Sequence, residues 1–164
     1  MKFVSIIIGS KSDYEVMKEC GNTLEKFGVP YEIIISSAHR SPERTKKYII
    51  EAETKGAQMF IAAAGMAAHL AGALAGITTK PVIGVPMASG ELRGEDALLS
   101  TVMMPAGMPV ATVAIGKAGA INAAYLAIQM MALNDDELRI KLQEDRISKA
   151  KKVELDSSEI EIIL

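Results

Sequence analysis

The sequence predicts an α/β fold with a central parallel sheet, and three observations support this. Short apolar runs alternate along the chain with segments of helical composition. These runs are continuous rather than alternating, as expected for strands buried on both faces of a parallel sheet. The length of 164 residues suits one domain with a substantial core. We therefore expect a single domain over residues 1–164, with helices on both faces of the sheet.

Three strands, each followed by a helix, are predicted in the first half of the chain. The predicted strands are Phe3–Ile8, Tyr31–Ile35 and Gln58–Ala64. The first two helices are predicted from about Tyr14 to Phe27 and from Pro42 to about Lys55. A short third helix follows the turn that contains His69 and ends near Gly76. Gly28 and Gly56 stand where the first two helices should end. Pro42 suits the first position of the second helix.

The second half continues the alternation but departs from it twice. We predict strands at Pro81–Val85 and Pro109–Ile115, and then an Ala-rich helix that ends near Leu133. The connection Pro86–Met108 is long, with room for a short helix, and is typical of an ordered functional loop. A final charged helix should run from about Glu137 to Val153. Its thin apolar stripe needs a partner, and the tail Ser157–Leu164 is either a loose end or an intermolecular strand.

Composition excludes several classes of function. The net charge of −2 argues against a nucleic-acid surface, and the apolar stretches are interrupted before they reach the length of a membrane span. Cys20 is the only cysteine and the N-terminus shows no signal peptide, so we expect a soluble cytoplasmic protein. With one cysteine, two histidines and no clustered carboxylates, we expect no metal site.

The two histidines are the first candidates for chemistry. His39 and His69 each follow a predicted strand at a point where a helix is about to begin. In a parallel sheet such positions share the carboxyl edge, where ligands bind. Because imidazole gains or loses a proton near neutral pH, the pair indicates a catalytic site rather than two structural residues.

The loops before two helices offer anion-binding groups. Gly9, Ser10 and Ser12 present backbone N–H groups and hydroxyls at the start of the first helix. Asp13 fits either a helix N-cap or a ligand for ribose hydroxyls. Arg40 can hold a phosphate through two parallel hydrogen bonds, although alone it could be a solvated helix-start residue. The sequence has no dinucleotide or ATP motif. Arg40 together with Ser10 and Ser12 on the neighbouring edge favours a phosphorylated small molecule as the ligand.

Small residues surround the second histidine. Gly65, Ala67, Ala68, Ala71 and Gly72 leave room for a ligand. The same residues would also permit close helix packing in an oligomer, and both interpretations stay open. The methionines nearby are expected to pack in the core or at an interface.

Six segments, in order, resemble the class I N5-carboxyaminoimidazole ribonucleotide mutase family, the catalytic subunit of phosphoribosylaminoimidazole carboxylase. They are Gly9–Asp13, Ser36–Arg40, Ala67–Gly72, Leu92–Ser100, Met104–Val110 and Ala114–Ala123. The resemblance covers roughly residues 3–150. It implies a three-layer flavodoxin-like or Rossmann-like sandwich with a central parallel sheet and a C-terminal helix. It further implies a homo-octamer with shared sites, residues 135–164 packing on a neighbouring subunit, and no metal, ATP or organic cofactor.

The resemblance also implies roles for particular residues. Ser10, Asp13 and Arg40 would bind substrate, and the nearby contacts would be Ser12, Ser37, Gly65 and Leu70. His39 would help to hold the substrate, and His69 would be the general acid/base. The implied reaction interconverts N5-carboxyaminoimidazole ribonucleotide and 4-carboxyaminoimidazole ribonucleotide in purine (IMP) biosynthesis. It proceeds by decarboxylation, trapping of CO2 and recarboxylation at C4.

Three positions depart from the family pattern. Met66 replaces a glycine, Ala71 a proline and Met103 a glutamine. Because Met66 has a Cβ, it disfavours a left-handed backbone, and the local turn is expected to differ. The alternative function is a direct CO2-dependent aminoimidazole ribonucleotide carboxylase, which tends to have Lys in place of Arg40 and to lack the second histidine. Arg40 and His69 therefore favour the mutase.

Overall fold

The computed structural model describes residues 1–160 and 162 and contains a five-stranded, all-parallel sheet. The strands are β1 (Phe3–Ile8), β2 (Tyr31–Ile35), β3 (Ala57–Gly65), β4 (Val82–Met87) and β5 (Ala111–Thr112). Their spatial order is β2-β1-β3-β4-β5, which is the flavodoxin-like order. Successive strands are added toward one edge of the sheet from β1 to β2 and toward the other edge from β3 onward, so the strand order reverses between β1 and β3. Ligands of such folds bind outside the carboxyl ends of the strands at that reversal.

In the described part of the chain, six α-helices and one 3₁₀ turn connect and follow the strands. The helices are α1 (Tyr14–Phe27), α2 (Pro42–Lys55), α3 (Leu70–Ala75), α4 (Glu95–Val102), α5 (Lys117–Ala132) and α6 (Asp136–Ile160), and the 3₁₀ turn is Lys11–Asp13. The predicted ends of α1 and α2 are confirmed. Gly28 and Gly56 follow these helices with φ values of 74° and 114°, a left-handed conformation in which glycine has no steric penalty.

The core lies on both faces of the sheet, as the continuous apolar strands predicted. Every residue of β1 and β4 is buried. Ser5 is the polar exception in β1, and its hydroxyl lies 2.9 Å from the Tyr48 hydroxyl, which donates a 3.3 Å hydrogen bond to Glu32. Burial raises the pKa of Tyr48 to about 12, so the phenol stays protonated and continues to donate this bond.

The ends of β4 and β5 differ most from prediction, whereas β3 is one residue longer at each end than predicted. β4 ends at Met87 because its pairing with β3 continues through Ala64–Pro86 and Gly65–Met87. β5 contains only two paired residues, although Pro109–Ile115 had been predicted as a strand. Beyond β5 the Gly116 N–H donates to the Pro86 carbonyl, so the chain still follows β4 without regular pairing. Pro86 is tolerated in β4 because the regular pairing of β4 with β5 ends at Gly84, before the proline.

The last helix is longer than predicted. The Asp135 carboxylate accepts the Leu138 N–H at 3.1 Å, which confirms a cap within the predicted Asn134–Asp136 segment. The helix then continues to Ile160, so Ser157–Ile160 is neither a loose end nor a strand. Ion pairs four residues apart, such as Lys152–Asp156 at 2.9 Å, favour this extension. Of the predicted tail, residues 161, 163 and 164 lie outside the described residues.

The chain divides into two compact units. Met1–Ala127 contains the sheet and the loops at its carboxyl edge, and Ile128–Leu164 contains the end of α5 and α6. Within residues 1–160 and 162, no helix is both long enough and apolar enough to cross a bilayer.

Candidate active site

A cavity of about 540 Å³ opens at the carboxyl ends of β1, β2 and β3. All of the predicted site residues line it, namely Ser10, Ser12, Asp13, Ser37, His39, Arg40, Gly65, His69 and Leu70. The cavity therefore occupies the sheet reversal between β1 and β3. This position explains why loops far apart in the sequence meet at one place.

The two histidine side chains are in direct contact. Nε2 of His39 lies 2.7 Å from Nδ1 of His69, and the rings are perpendicular with centroids 4.8 Å apart. One proton must lie between these nitrogens, and the tautomer follows from which ring supplies it. If His69 donates its Nδ1–H, its Nε2 keeps a lone pair and can act as a base. Both side chains are exposed in the single chain.

A sharp turn between β3 and α3 carries His69. Met66 adopts a left-handed conformation at φ 56° despite its Cβ, so the side chain did not prevent this backbone geometry. Its side chain remains 60% exposed at the cavity. His69 then precedes α3, and its carbonyl accepts the Ala73 N–H at 2.9 Å. The ring is therefore attached directly to the start of a helix.

The absence of a side chain at Gly65 leaves space for Ser89, which is not among the predicted site residues. A Cβ at Gly65 would overlap with the Ser89 hydroxyl. Ser89 lines the cavity from the loop after β4, against Gly65 at the start of the turn that carries His69. The only sequence signal for Ser89 was its place in the long Pro86–Met108 connection. Ala38, Ala64 and Ala67 also line the cavity.

The loop after β1 is folded by its own polar side chains. The Asp13 carboxylate accepts a 3.1 Å hydrogen bond from the Ser10 N–H. The Ser10 hydroxyl accepts a 3.0 Å hydrogen bond from the Ser12 hydroxyl. Asp13 thus closes a capping box around the 3₁₀ turn and makes no side-chain cap on α1, which corrects the simple N-cap interpretation. Burial raises the pKa of the Asp13 carboxyl, and the Ser10 N–H opposes that shift.

Arg40 links two of the loops. Its guanidinium donates to the Gly9 carbonyl at 3.1 Å and, at 3.4 Å, to the Ser37 hydroxyl. The side chain is therefore more than a solvated residue at a helix start. Because it is exposed and lines the cavity, its other N–H groups are available to an anionic ligand.

The chemistry of the site is that of polar and ionic binding with proton transfer. Hydroxyls and a guanidinium suit phosphate, a buried carboxylate suits hydroxyl groups, and an imidazole pair suits movement of a proton. Among residues 1–160 and 162, no three His, Cys, Asp or Glu side chains form a group that could hold a metal ion.

Comparison with known proteins agrees with this class of site. The sequence pattern of the AIR carboxylase family matches residues 3–152, and the chain belongs to that family. Two similar relatives are each named N5-carboxyaminoimidazole ribonucleotide mutase. The one from Pyrococcus horikoshii is 51% identical over 96% of this chain and 88% of its own length. The one from Bacillus subtilis is 49% identical over 95% of this chain and 96% of its own length.

A solved structure supports the fold independently. The crystal structure of Treponema denticola PurE matches with a TM-score of 0.89 at 29% identity, covering 99% of this chain and 100% of that chain. The predicted flavodoxin-like three-layer fold is confirmed by this match and by the strand order.

Proposed function

We propose that this protein is an N5-carboxyaminoimidazole ribonucleotide mutase of purine (IMP) biosynthesis. It is an isomerase that interconverts N5-carboxyaminoimidazole ribonucleotide and 4-carboxyaminoimidazole ribonucleotide. The observation that carries the proposal is the His39–His69 pair, at 2.7 Å, in a cavity that also presents Arg40 and the Ser10 loop. Relatives that share about half of its residues carry the name of this enzyme.

We infer that one part of the cavity binds the phosphate and another holds the base. We assign the phosphate to Arg40, Ser10, Ser12 and Ser37, because these groups donate hydrogen bonds. Asp13 accepts hydrogen bonds from ribose hydroxyls. The remaining assigned residues, Gly65 and Leu70, contact the imidazole ring of the substrate beside the histidine pair.

The reaction balances without any added reactant. The bond between the exocyclic nitrogen and the carboxylate carbon breaks, and its electron pair returns to nitrogen as CO2 forms. C4 of the ring then attacks the CO2 carbon, and the proton on C4 leaves. The exocyclic nitrogen regains a proton, so the net change is an exchange of carboxylate and proton between two atoms.

His69 is the proposed general acid/base for that proton. With its Nδ1–H donated to His39, its Nε2 takes the C4 proton, and the same nitrogen returns a proton to the exocyclic amine. His39 selects this tautomer and helps to hold the substrate. Once a second subunit covers the site, the small residues around His69 would retain CO2 and exclude water.

The proposal extends to the assembly and its location. We infer a cytoplasmic homo-octamer in which each chain is a single mutase domain, with residues 135–164 packing on a neighbouring subunit. The exposure of both histidines supports sites that a second subunit completes. Nucleic acid, membranes and cofactors have no part in this function.

Two parallel assays test the function. Purified protein, without ATP or metal, receives N5-carboxyaminoimidazole ribonucleotide in one tube and aminoimidazole ribonucleotide with low bicarbonate in the other. Rapid product in the first tube alone is the expected result. Efficient product in the second tube would instead establish the direct carboxylase, and no product in either would contradict both.

A further inference from the structure

Ser100 in α4 contacts the turn that carries His69. Its hydroxyl accepts the Ala68 N–H at 2.9 Å and donates to the Asp96 carbonyl at 2.7 Å. Longer contacts reach Met66 O at 3.4 Å and Ala97 O at 3.3 Å. A serine bonded only within its helix would not make the contact to Ala68. This contact therefore joins two segments 32 residues apart.

The Ala68 peptide needs such a partner. Ala68 is only 2% exposed, and a buried N–H without a hydrogen bond is strongly unfavourable. The Ala68 carbonyl is also contacted from α4, by the Thr101 hydroxyl at 3.4 Å. The Thr101 hydroxyl donates its shorter hydrogen bond to Ala97 O at 2.7 Å, so the Ser100 contact to the Ala68 N–H is the main polar link between α4 and this residue.

The backbone near Ala68 also contains a residue in a left-handed conformation. Met66 holds a left-handed conformation two residues before Ala68, and such a residue persists only where its surroundings stabilise it. The Ser100 hydroxyl lies within reach of groups on both sides of Ala67. Its loss would let the turn relax and would change the position of the His69 ring.

We propose that Ser100 is a positioning residue that holds His69 against His39 for proton transfer. This inference rests on the proposed role of His69. Ser100 does not line the substrate cavity, so it acts through the backbone and not by contact with the substrate. Its loss should therefore lower kcat more than it changes KM.

The test uses the full-length Ser100→Ala variant, Ser100→Thr to restore the hydroxyl, and Ser100→Cys as a milder change if the alanine variant does not fold. Thr23→Ala is the matched control, because the Thr23 hydroxyl bonds only within its helix, to Glu19 O at 2.8 Å. Steady-state kinetics with N5-carboxyaminoimidazole ribonucleotide are combined with hydrogen exchange of the segment 65–70.

We expect Ser100→Ala to lower kcat by about 10- to 100-fold, with little change in KM and faster exchange in the segment 65–70. Ser100→Thr should recover most of kcat, Ser100→Cys should fall between them, and Thr23→Ala should match the wild type. Wild-type kcat in Ser100→Ala, or an equal fall in Thr23→Ala, would overturn the proposal.

The His69→Asn variant separates the two hypotheses. If His69→Asn is inactive while Ser100→Ala has wild-type kcat and exchange, only the role of Ser100 is wrong. If His69→Asn remains fully active, the proposed role of His69 fails, and the positioning role of Ser100 fails with it.

Discussion

At the scale of single residues, the site depends on histidine and aspartate side chains that are held by neighbouring groups. The His39–His69 contact limits the tautomers available to each ring. Asp13 is buried, and its carboxylate is held by the Ser10 N–H. In both cases a second side chain or backbone group determines which proton or lone pair faces the cavity.

Replacing His69 by Asn should lower kcat by at least about 100-fold, because the general base is lost while a side chain able to hydrogen bond remains. Substrate affinity should change little, since the phosphate contacts are untouched. Steady-state kinetics of purified His69→Asn and His39→Asn check this expectation. A larger loss of kcat in His39→Asn than in His69→Asn would assign the proton transfer to His39 instead.

Replacing Asp13 by Asn should stabilise the fold at neutral pH while weakening substrate binding. Burial raises the pKa of Asp13 above 3.8, so the folded state binds this proton more tightly than the unfolded state. The ionised carboxylate therefore destabilises the fold at neutral pH, and this effect disappears as pH falls through the folded-state pKa. Asn keeps an acceptor for the Ser10 N–H.

Urea unfolding of the wild type and Asp13→Asn at neutral and at acidic pH measures the effect. The stability difference should favour Asp13→Asn at neutral pH and narrow as the pH approaches 3.8. A wild type that is the more stable protein at neutral pH would show that the Ser10 hydrogen bond outweighs burial.

At the scale of elements, close packing determines how helices meet strands and loops. A Cβ added at Gly84 in β4 would lie 2.9 Å from the Val110 side chain and would overlap with the Thr101 side chain of α4. A Cβ added at Gly119 in α5 would overlap with the backbone of Ala114. Gly84 therefore permits contact between β4 and α4, and Gly119 permits the close approach of α5 to the segment that precedes it.

Gly119→Ala should lower the free energy of unfolding by about 1–3 kcal/mol, although alanine favours helices. The added Cβ would overlap with the Ala114 carbonyl, which is backbone and cannot move aside as a side chain can. Gly72→Ala is the matched control, because its Cβ would meet only the flexible Met104 side chain, at 3.3 Å. Denaturant unfolding of both variants measures the difference, and equal stability would contradict this account.

At the scale of the whole molecule, α6 carries apolar side chains that are more than half exposed within the part of the chain that the structure describes. Ile147 is 56% exposed and Val153 is 67% exposed, within the stripe that the sequence indicated would need a partner. Exposed apolar side chains on one helix are typical of an interface. This exposure supports the proposal that residues 135–164 pack on a neighbouring subunit.

Ile147→Glu should therefore dissociate the proposed octamer into smaller species, because a charge would be buried at the interface. Analytical ultracentrifugation of Ile147→Glu beside Arg146→Gln, an exposed polar neighbour, measures the change. An Ile147→Glu protein that sediments as the wild type does would remove this part of α6 from the interface.

The pattern of the sequence by itself determined the α/β class, the ends of α1 and α2, and most of the polar residues that line the cavity, whereas Ser37 and Leu70 came only from the family resemblance. It could do so because helix ends, buried strands and strand-end loops have local signals such as Gly28, Pro42 and the run Phe3–Ile8. Only the tertiary structure decided the rest. The 2.7 Å histidine contact, the Ser89 and Ser100 contacts and the length of β5 depend on segments distant in the chain. Such distances follow from how the elements pack, which no local pattern of residues encodes.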